Sequence, residues 1–141
     1  MAKNLQQQQL ELSQRWVEEV VVGMNLCPFA KPVLKANSLK YALTQADQLA
    51  DLEAFFLQQL ALITATDEQS ISTTLVILPN ALADFYQYLD FVALCERLVD
   101  QAGLLREFQL ASFHPNYLFA QVAEDDVSHW TNRSPFPMIH I

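Results

Sequence analysis

The feature that most restricts how this chain can fold is a short apolar run near its middle. Residues 73–78 read Thr-Thr-Leu-Val-Ile-Leu, are rich in β-branched side chains and are followed by Pro79 and Asn80. A run that is apolar at nearly every position suits a strand that is covered on both faces. We therefore predict a central β-strand here, closed by the proline, with the other elements arranged around it.

Helical patterns lie on both sides of this strand. Apolar residues spaced by three and four predict one helix that runs to about Thr64 and a second from about Leu82 to Ala102. Thr44 and Asp47 resemble a capping box before the first helix, and Gly103 is suited to end the second. The expected inward-facing residues are Leu49, Leu52, Phe56, Leu60, Ile63, Phe85, Leu89, Val92, Cys95 and Val99.

Shorter patterns predict the remaining elements. Apolar and polar residues alternate over residues 39–43 and 105–113, which predicts two more strands, and we expect a further one over residues 117–122. Residues 5–23 have the periodicity of an amphipathic helix, which we expect Gly23 to end in a left-handed conformation. Residues 25–32 are expected to form a loop that contains Pro28 and Pro32.

The order strand, helix, strand, helix, strand predicts an α/β or α+β fold, because parallel strands are joined through helices. We expect a small two-layer sandwich with three to four partly parallel strands, plus the N-terminal helix, in a single domain over residues 1–141. The chain has 141 residues, of which 52% are hydrophobic. That is enough to bury one core without disulfides.

The charge of the chain argues against polyanionic partners. Its net charge of −8 repels phosphate backbones and anionic lipids, so we expect neither nucleic acid nor a membrane as a partner. No apolar run approaches the roughly 18 residues that span a bilayer, and the N-terminus lacks the apolar region of a signal peptide. We predict a cytoplasmic protein; the sequence leaves the cofactor and the oligomeric state open.

The two cysteines do not form a motif. Cys27 and Cys95 lie far apart, so neither a disulfide framework nor a structural zinc site is indicated. Cys95 falls on the inward stripe of a predicted helix and is expected in the core. Cys27 lies in the loop after the N-terminal helix, where three roles stay open: a buried inert thiol, a nucleophile or a metal ligand.

All three histidines lie in the last part of the chain. His114 follows a predicted strand, and we expect it at the same end of the sheet as Asn80 and Thr44, where ligands bind in open α/β sheets. It could act as an acid or base near its usual pKa, or simply bond a carbonyl of the turn at residues 114–116. His129 lies in a polar stretch and has the weakest functional claim.

A proline-rich segment close to the C-terminus could hold a ligand. Residues 131–137 read Thr-Asn-Arg-Ser-Pro-Phe-Pro, and the two prolines favour a stiff, extended strap. Arg133 could bind an oxyanion together with Ser134 or Asn132, or it could pair with Asp125 or Asp126. Lys31 belongs to a locally basic stretch that could join Arg133 in a positive pocket.

Three segments together resemble the bacterial family known as domain of unknown function 1415. They are residues 25–30 (Asn-Leu-Cys-Pro-Phe-Ala), residues 111–119 (Ala-Ser-Phe-His-Pro-Asn-Tyr-Leu-Phe) and residues 131–140 (Thr-Asn-Arg-Ser-Pro-Phe-Pro-Met-Ile-His). The family carries no known activity. Chains that resemble it continue past the last histidine with Leu-Leu-Arg, so we expect that a C-terminal helical tail is missing here. The resemblance implies signature positions at Cys27, His114, Tyr117, Asn132, Arg133, Ser134 and His140.

The leading hypothesis from the sequence is an enzyme that acts on a small anionic metabolite. His114 would be the acid or base and Cys27 a nucleophile. The ligand would be bound by Arg133, Asn132, Ser134, Tyr117 and Lys31. One alternative places a transition metal on Cys27, His114 and His140, and another is a non-catalytic module that docks a partner. Substrate and reaction type stay open.

Overall fold

The computed structural model describes residues 4–24, 26 and 30–141. Its helices are α1 (Leu5–Trp16), α2 (Ala30–Lys35), α3 (Leu49–Ala65) and α4 (Phe85–Gln101), and its strands are β1 (Leu39–Leu43), β2 (Thr73–Ile77), β3 (Ala111–Phe113) and β4 (Met138–His140). A π-helix (Val17–Val22) continues α1, and a 3₁₀-helix (Val127–Asn132) precedes β4. The predicted α/β or α+β class is confirmed. None of the described helices is long and apolar enough to cross a membrane.

The four strands form one mixed sheet in the order β1-β2-β4-β3. β1 and β2 are parallel, with Leu39 opposite Thr73 and Leu43 opposite Ile77. β4 runs antiparallel to both of its neighbours, so β3 points the same way as β1 and β2. The last residues of β1, β2 and β3 therefore lie together at what we call the carboxyl end of the sheet. β4 begins at this end and finishes at the opposite, amino end.

Helices cover both faces of the sheet, which explains why the central run is apolar at successive positions. Val76 and Leu78 of the run pack with α3 and α4. Leu75 and Ile77 point to the other face and pack with Trp16 and Val17. Alternate side chains of a strand point to opposite faces, so a strand with a helical layer on each side needs apolar residues throughout. The N-terminal helix thus adds a third layer.

One strand prediction is wrong in extent and another is wrong altogether. β3 covers only Ala111–Phe113, because residues 105–107 form a turn soon after α4. Residues 117–122 form no strand: residues 117–119 have no regular structure, and residues 120 and 121 are in a turn. β4 was not predicted at all. Its three residues are too few to show a strand period, and they become a strand only because β2 and β3 supply hydrogen-bonding partners on both sides.

Two glycines were predicted to end helices, and one of these predictions is correct while the other is wrong in its conformation. Gly103 has φ 73° and ends α4 as expected, with hydrogen bonds from its own N–H to the Asp100 carbonyl and from the Leu104 N–H to the Val99 carbonyl. Gly23 was expected to be left-handed, but its φ is −60°. A Cβ atom at this position would overlap the Glu19 carbonyl oxygen. Glycine is required there for space.

The other predicted boundaries move by a few residues. The capping box at Thr44 is wrong: α3 begins at Leu49, and the Thr44 hydroxyl accepts the Ala46 N–H. α4 begins at Phe85, where the Asp84 carboxylate accepts two backbone N–H groups. Part of the predicted loop at residues 25–32 is helical, since α2 starts at Ala30 and tolerates Pro32 in its first turn. Residues 25 and 27–29 of that loop lie outside the described residues.

Candidate functional site

His114 stands at the carboxyl end of the sheet, in contact with α4. The ring is fully buried and lies 4.9 Å from the Tyr88 ring, centroid to centroid. Its Nδ1 accepts the Asn116 N–H at 3.0 Å, and its Nε2–H donates to the Leu82 carbonyl at 2.8 Å. Burial lowers the pKa of His114 from its usual 6.5. Both nitrogens of this neutral imidazole are thus hydrogen-bonded to backbone groups.

The order of the strands separates the side chains that were expected to meet at the carboxyl end. β1 and β3 are the outer strands of the sheet, so Thr44 and His114 lie three strand spacings apart, roughly 14 Å. Asn80, after β2, donates to the backbone and side-chain oxygens of Gln45. The three residues share one end of the sheet without forming a common pocket.

Two polar side chains of the strap hold the loop itself. The Asn132 amide donates to the Ser112 carbonyl at 3.0 Å, while the Asn132 carbonyl accepts the His114 N–H. The buried Ser134 hydroxyl donates to the Phe136 carbonyl at 2.5 Å. These bonds fasten the strap to the end of β3 and fix its turn before β4. The Ser134 hydroxyl has thus used its one donor, whereas the Asn132 amide keeps a second N–H that has no acceptor among the described residues.

Arg133 is held in place but keeps unused donors. Its Nε donates to the Tyr117 carbonyl at 3.2 Å, and its guanidinium carbon lies 4.8 Å from the centre of the exposed Trp130 ring. The alternative pairing of Arg133 with Asp125 or Asp126 is not among the ion pairs of the described residues. The two terminal nitrogens have no hydrogen-bond partner within the described ranges. The Tyr117 ring packs between Phe85 and Phe119.

His129 is buried and ties a loop together. Its Nδ1 accepts the Phe119 N–H and its Nε2–H donates to the Ala123 carbonyl. The ring also stacks on Phe119, with 5.8 Å between ring centroids. His129 therefore has a structural role in the loop between residues 119 and 129. This agrees with the sequence, in which His129 showed the weakest indication of a function.

The structure does not bring the proposed metal ligands together. His140 is on β4 at the amino end of the sheet and faces α1, whereas His114 is at the carboxyl end and faces α4. Cys27 lies outside the described residues, and Lys31 is exposed on α2. Among the residues that the structure describes, no group of three His, Cys, Asp or Glu side chains could hold an ion. Cys95 is buried in the core, as predicted.

A cavity of about 210 Å³ lies between the sheet and the N-terminal layer. It occupies the face opposite α3 and α4, and its wall is almost entirely apolar. The segment that contains Cys27 connects the π-helix to α2, and both of these elements contribute to the wall. The lining residues are Trp16, Val17, Val21, Ala30, Val33, Leu39, Thr73, Leu75, Phe113 and His140.

Trp16 brings an unusual polar group to this cavity. The residue is 9% exposed, and its ring meets Phe113 edge to face at 5.2 Å between centroids. Its indole Nε1 is buried and has no acceptor among the described residues. A buried N–H without a partner costs about 1–3 kcal/mol, and buried tryptophans usually satisfy this group. The side chain lines the cavity, and a ligand could satisfy this donor if the ring turned slightly, because the buried nitrogen itself has almost no accessible surface.

Thr73 and His140 form a second polar feature of the wall. The His140 Nε2 is hydrogen-bonded to the Thr73 hydroxyl, which itself lies 2.7 Å from the Ile141 carbonyl. Burial lowers the pKa of His140 from 6.5, which favours the neutral ring. The pair also borders a more polar pocket of about 620 Å³ at the amino end of the sheet, near Glu68 and Glu107.

Two of the cavity's polar groups were not identified as functional candidates from the sequence. Trp16 was counted only as part of an apolar helical stripe, and Thr73 only as a β-branched strand residue. The presence of a Trp in an otherwise aliphatic stripe is a weak signal, because its N–H needs an acceptor wherever it is buried. No sequence signal could pair Thr73 with His140, since the two lie on strands that meet only in the folded sheet.

Comparison with known proteins identifies a family but no activity. The model of the family described as "Protein of unknown function (DUF1415)" matches residues 8–141. No curated protein and no solved structure matches the chain significantly. The match confirms the resemblance and extends over all three segments that suggested it.

Proposed function

Because the chain belongs to the DUF1415 family, whose description states no activity, we propose its function from its own cavity. It binds a small, largely apolar molecule that carries a hydrogen-bond acceptor. The observation that supports this proposal is the buried indole N–H of Trp16, which has no acceptor among the described residues and belongs to a side chain that lines the cavity.

The size of the cavity limits the ligand. An apolar cavity of roughly 150 Å³ holds benzene, so a cavity of about 210 Å³ suits a substituted single ring or a short branched chain. Apolar walls from Val17, Val21 and Leu75 would contribute most of the affinity through burial of apolar surface. The Trp16 N–H would select molecules with a carbonyl or similar acceptor, because such a ligand removes an unsatisfied donor.

Two probes of nearly equal shape test the proposal: acetophenone, which carries a carbonyl, and α-methylstyrene, which has a methylene in its place. Binding is followed by the backbone amide NMR signals of Val17 and Val21. We expect saturable binding of both, with a Kd of about 1 mM for acetophenone, since small ligands gain roughly 0.3–1.5 kcal/mol per non-hydrogen atom. Trp16→Phe should weaken acetophenone about fivefold more than α-methylstyrene, which controls for changed shape.

Filling the cavity provides a second, independent check. Val21→Phe places a larger side chain in the wall and should abolish binding of both probes. Val127→Phe is the matched control, because Val127 is 79% exposed on the 3₁₀-helix and outside the cavity. The proposal is wrong if neither probe saturates the wild-type signals, or if Val21→Phe binds them as the wild type does.

A second candidate is the one that the sequence favoured, an enzyme that binds a small anion. The observation that supports it is that the terminal nitrogens of Arg133 have no partner among the described residues. A guanidinium held by Tyr117 and Trp130 is already oriented for a carboxylate or phosphate. Asn132 and Ser134 would shape the loop in this candidate. A catalytic role for His114 would first require it to release a backbone partner.

Titration with phosphate and with acetate tests the anion site. In a Trp16→Phe background the fluorescence of Trp130 reports on Arg133. We expect saturation that Arg133→Gln weakens at least tenfold, since a charged hydrogen bond contributes about 1.5–3 kcal/mol. Arg106→Gln, an exposed site, should have no effect. Equal responses of the two variants would rule the site out. The other alternative from the sequence, a non-catalytic module that docks a partner, stays a prediction.

A further inference from the structure

We infer that the ligand of this cavity also carries a hydrogen-bond donor, and that the Nδ1 atom of His140 accepts it. The ligand class is then a small apolar molecule with a donor beside its acceptor, such as a neutral amide, a phenol or a carboxylic acid. This inference rests on the proposed binding function and names the second polar contact of the same site.

The Thr73 hydroxyl decides which nitrogen of His140 carries the proton. The hydroxyl has one hydrogen, and its oxygen lies 2.7 Å from the Ile141 carbonyl, which can only accept. The hydrogen is therefore used in that bond, and the hydroxyl oxygen must accept from His140 Nε2. The proton of the neutral ring is on Nε2, which leaves a lone pair on Nδ1.

This lone pair has no partner among the described residues. The ring's other nitrogen, Nε2, is the one bonded to Thr73. The ring lines the apolar cavity together with Trp16. The two other histidines differ in this respect, because each uses both ring nitrogens for backbone groups.

Two side chains of the apolar wall therefore carry one donor and one acceptor that have no partner among the described residues. The Trp16 N–H can only donate, and Nδ1 of a neutral ring with its proton on Nε2 can only accept. A ligand with an acceptor alone leaves Nδ1 without a partner once it displaces water, and this lowers its affinity. A ligand with both groups satisfies both side chains, so the wall selects for the pair.

Benzamide is the probe for the inference, because it has nearly the shape of acetophenone but adds N–H donors to the carbonyl. Both are titrated into the wild-type protein and into His140→Phe, which keeps a ring but removes the acceptor. We expect His140→Phe to weaken benzamide at least fivefold more than acetophenone. Nitrogen-15 NMR of the wild-type ring should show the proton on Nε2 and an Nδ1 signal that moves with benzamide.

Thr73→Val is the second variant, and it tests the role of the hydroxyl without touching the ring. It should populate both neutral tautomers of His140 and reduce the preference for benzamide. The inference is overturned if acetophenone and benzamide weaken equally in His140→Phe, or if the free wild-type ring carries its proton on Nδ1. Either result, with acetophenone binding still abolished by Val21→Phe, would leave the proposed function standing. Failure of all probes would remove both.

Discussion

Three histidines in one short C-terminal stretch have three different environments. His114 and His129 each accept a backbone N–H with Nδ1 and donate to a carbonyl with Nε2, so they connect loops through both ring nitrogens. His140 lines an apolar cavity, and one of its ring nitrogens has no partner among the described residues. The residue type alone does not distinguish these environments. The hydrogen-bond partners of the two ring nitrogens distinguish them, because they determine whether a lone pair is available.

His114 should make stability depend on pH. Burial lowers its pKa from 6.5, so the unfolded chain binds a proton more readily than the folded one. The free energy of unfolding should therefore fall as the pH drops below about 6.5. His114→Gln should lose about 1–3 kcal/mol near neutral pH, because buried backbone groups lose their partner, and should show a smaller fall in acid.

Urea unfolding of both proteins at about pH 7.5 and about pH 5.5 measures this difference. Part of the pH dependence should remain in the variant, because burial also lowers the pKa of His140. If the free energy of unfolding falls by the same amount in both proteins between the two pH values, His114 does not take up a proton on unfolding.

At the scale of elements, the most informative feature is the π-helix that follows α1. π-Helical turns are rare and often occur at functional sites. Val17 and Val21 of this turn line the cavity, and Gly23 ends it in a position where a Cβ atom would overlap the Glu19 carbonyl. The wider turn and the glycine are thus linked, and together they help to shape the wall that faces the sheet.

Replacing the two glycines with alanine should separate the effects of space and conformation. Gly103→Ala should cost about 1 kcal/mol, because the left-handed φ of 73° disfavours a side chain while nothing lies near the new Cβ. Gly23→Ala should cost about 1–3 kcal/mol, because the new Cβ overlaps backbone. Urea denaturation measures both.

Gly23→Ala should also weaken acetophenone, since relief of the overlap moves the turn that carries Val21. In an ordinary helix the same substitution would stabilise the protein. A Gly23→Ala protein as stable as the wild type would therefore show that the overlap is relieved without cost.

At the scale of the whole molecule, the C-terminal segment joins the layers. β4 enters the sheet between β2 and β3, and Ile139 and Met138 point to opposite cores. Tyr88 of α4 connects this assembly to the helical layer, because its hydroxyl donates to the Met138 carbonyl at 2.6 Å and accepts the Phe113 N–H at 2.9 Å. One buried hydroxyl thus bonds both strands at the carboxyl end.

Tyr88→Phe should lower the free energy of unfolding by about 1–3 kcal/mol, because it leaves a partly buried N–H and a buried carbonyl with one partner fewer. Tyr86→Phe is the matched control: Tyr86 is 68% exposed on the same helix and should change stability by less than about 0.5 kcal/mol. Chemical denaturation of both variants gives the comparison. Similar losses in the two would mean that the Tyr88 hydroxyl does not hold the strands.

The sequence determined those parts of the protein that depend on local periodicity. The central strand, β1, the bodies of α3 and α4, the buried position of Cys95 and the stop at Gly103 were all predicted, because each follows from residues close together in the chain. The family was also readable, from three short segments. Helix starts were less accurate, since side-chain caps such as that of Asp84 compete with similar residues nearby.

Only the tertiary structure decided the placement of β4, the cavity and the roles of the histidines. β4 exists because two distant strands leave a gap that it fills, and its direction carries His140 to the amino end, away from His114. The hydrogen bond between Thr73 and His140 joins residues 67 positions apart. Whether a side chain is free to bind depends on such long-range partners, and these are fixed only when the layers pack.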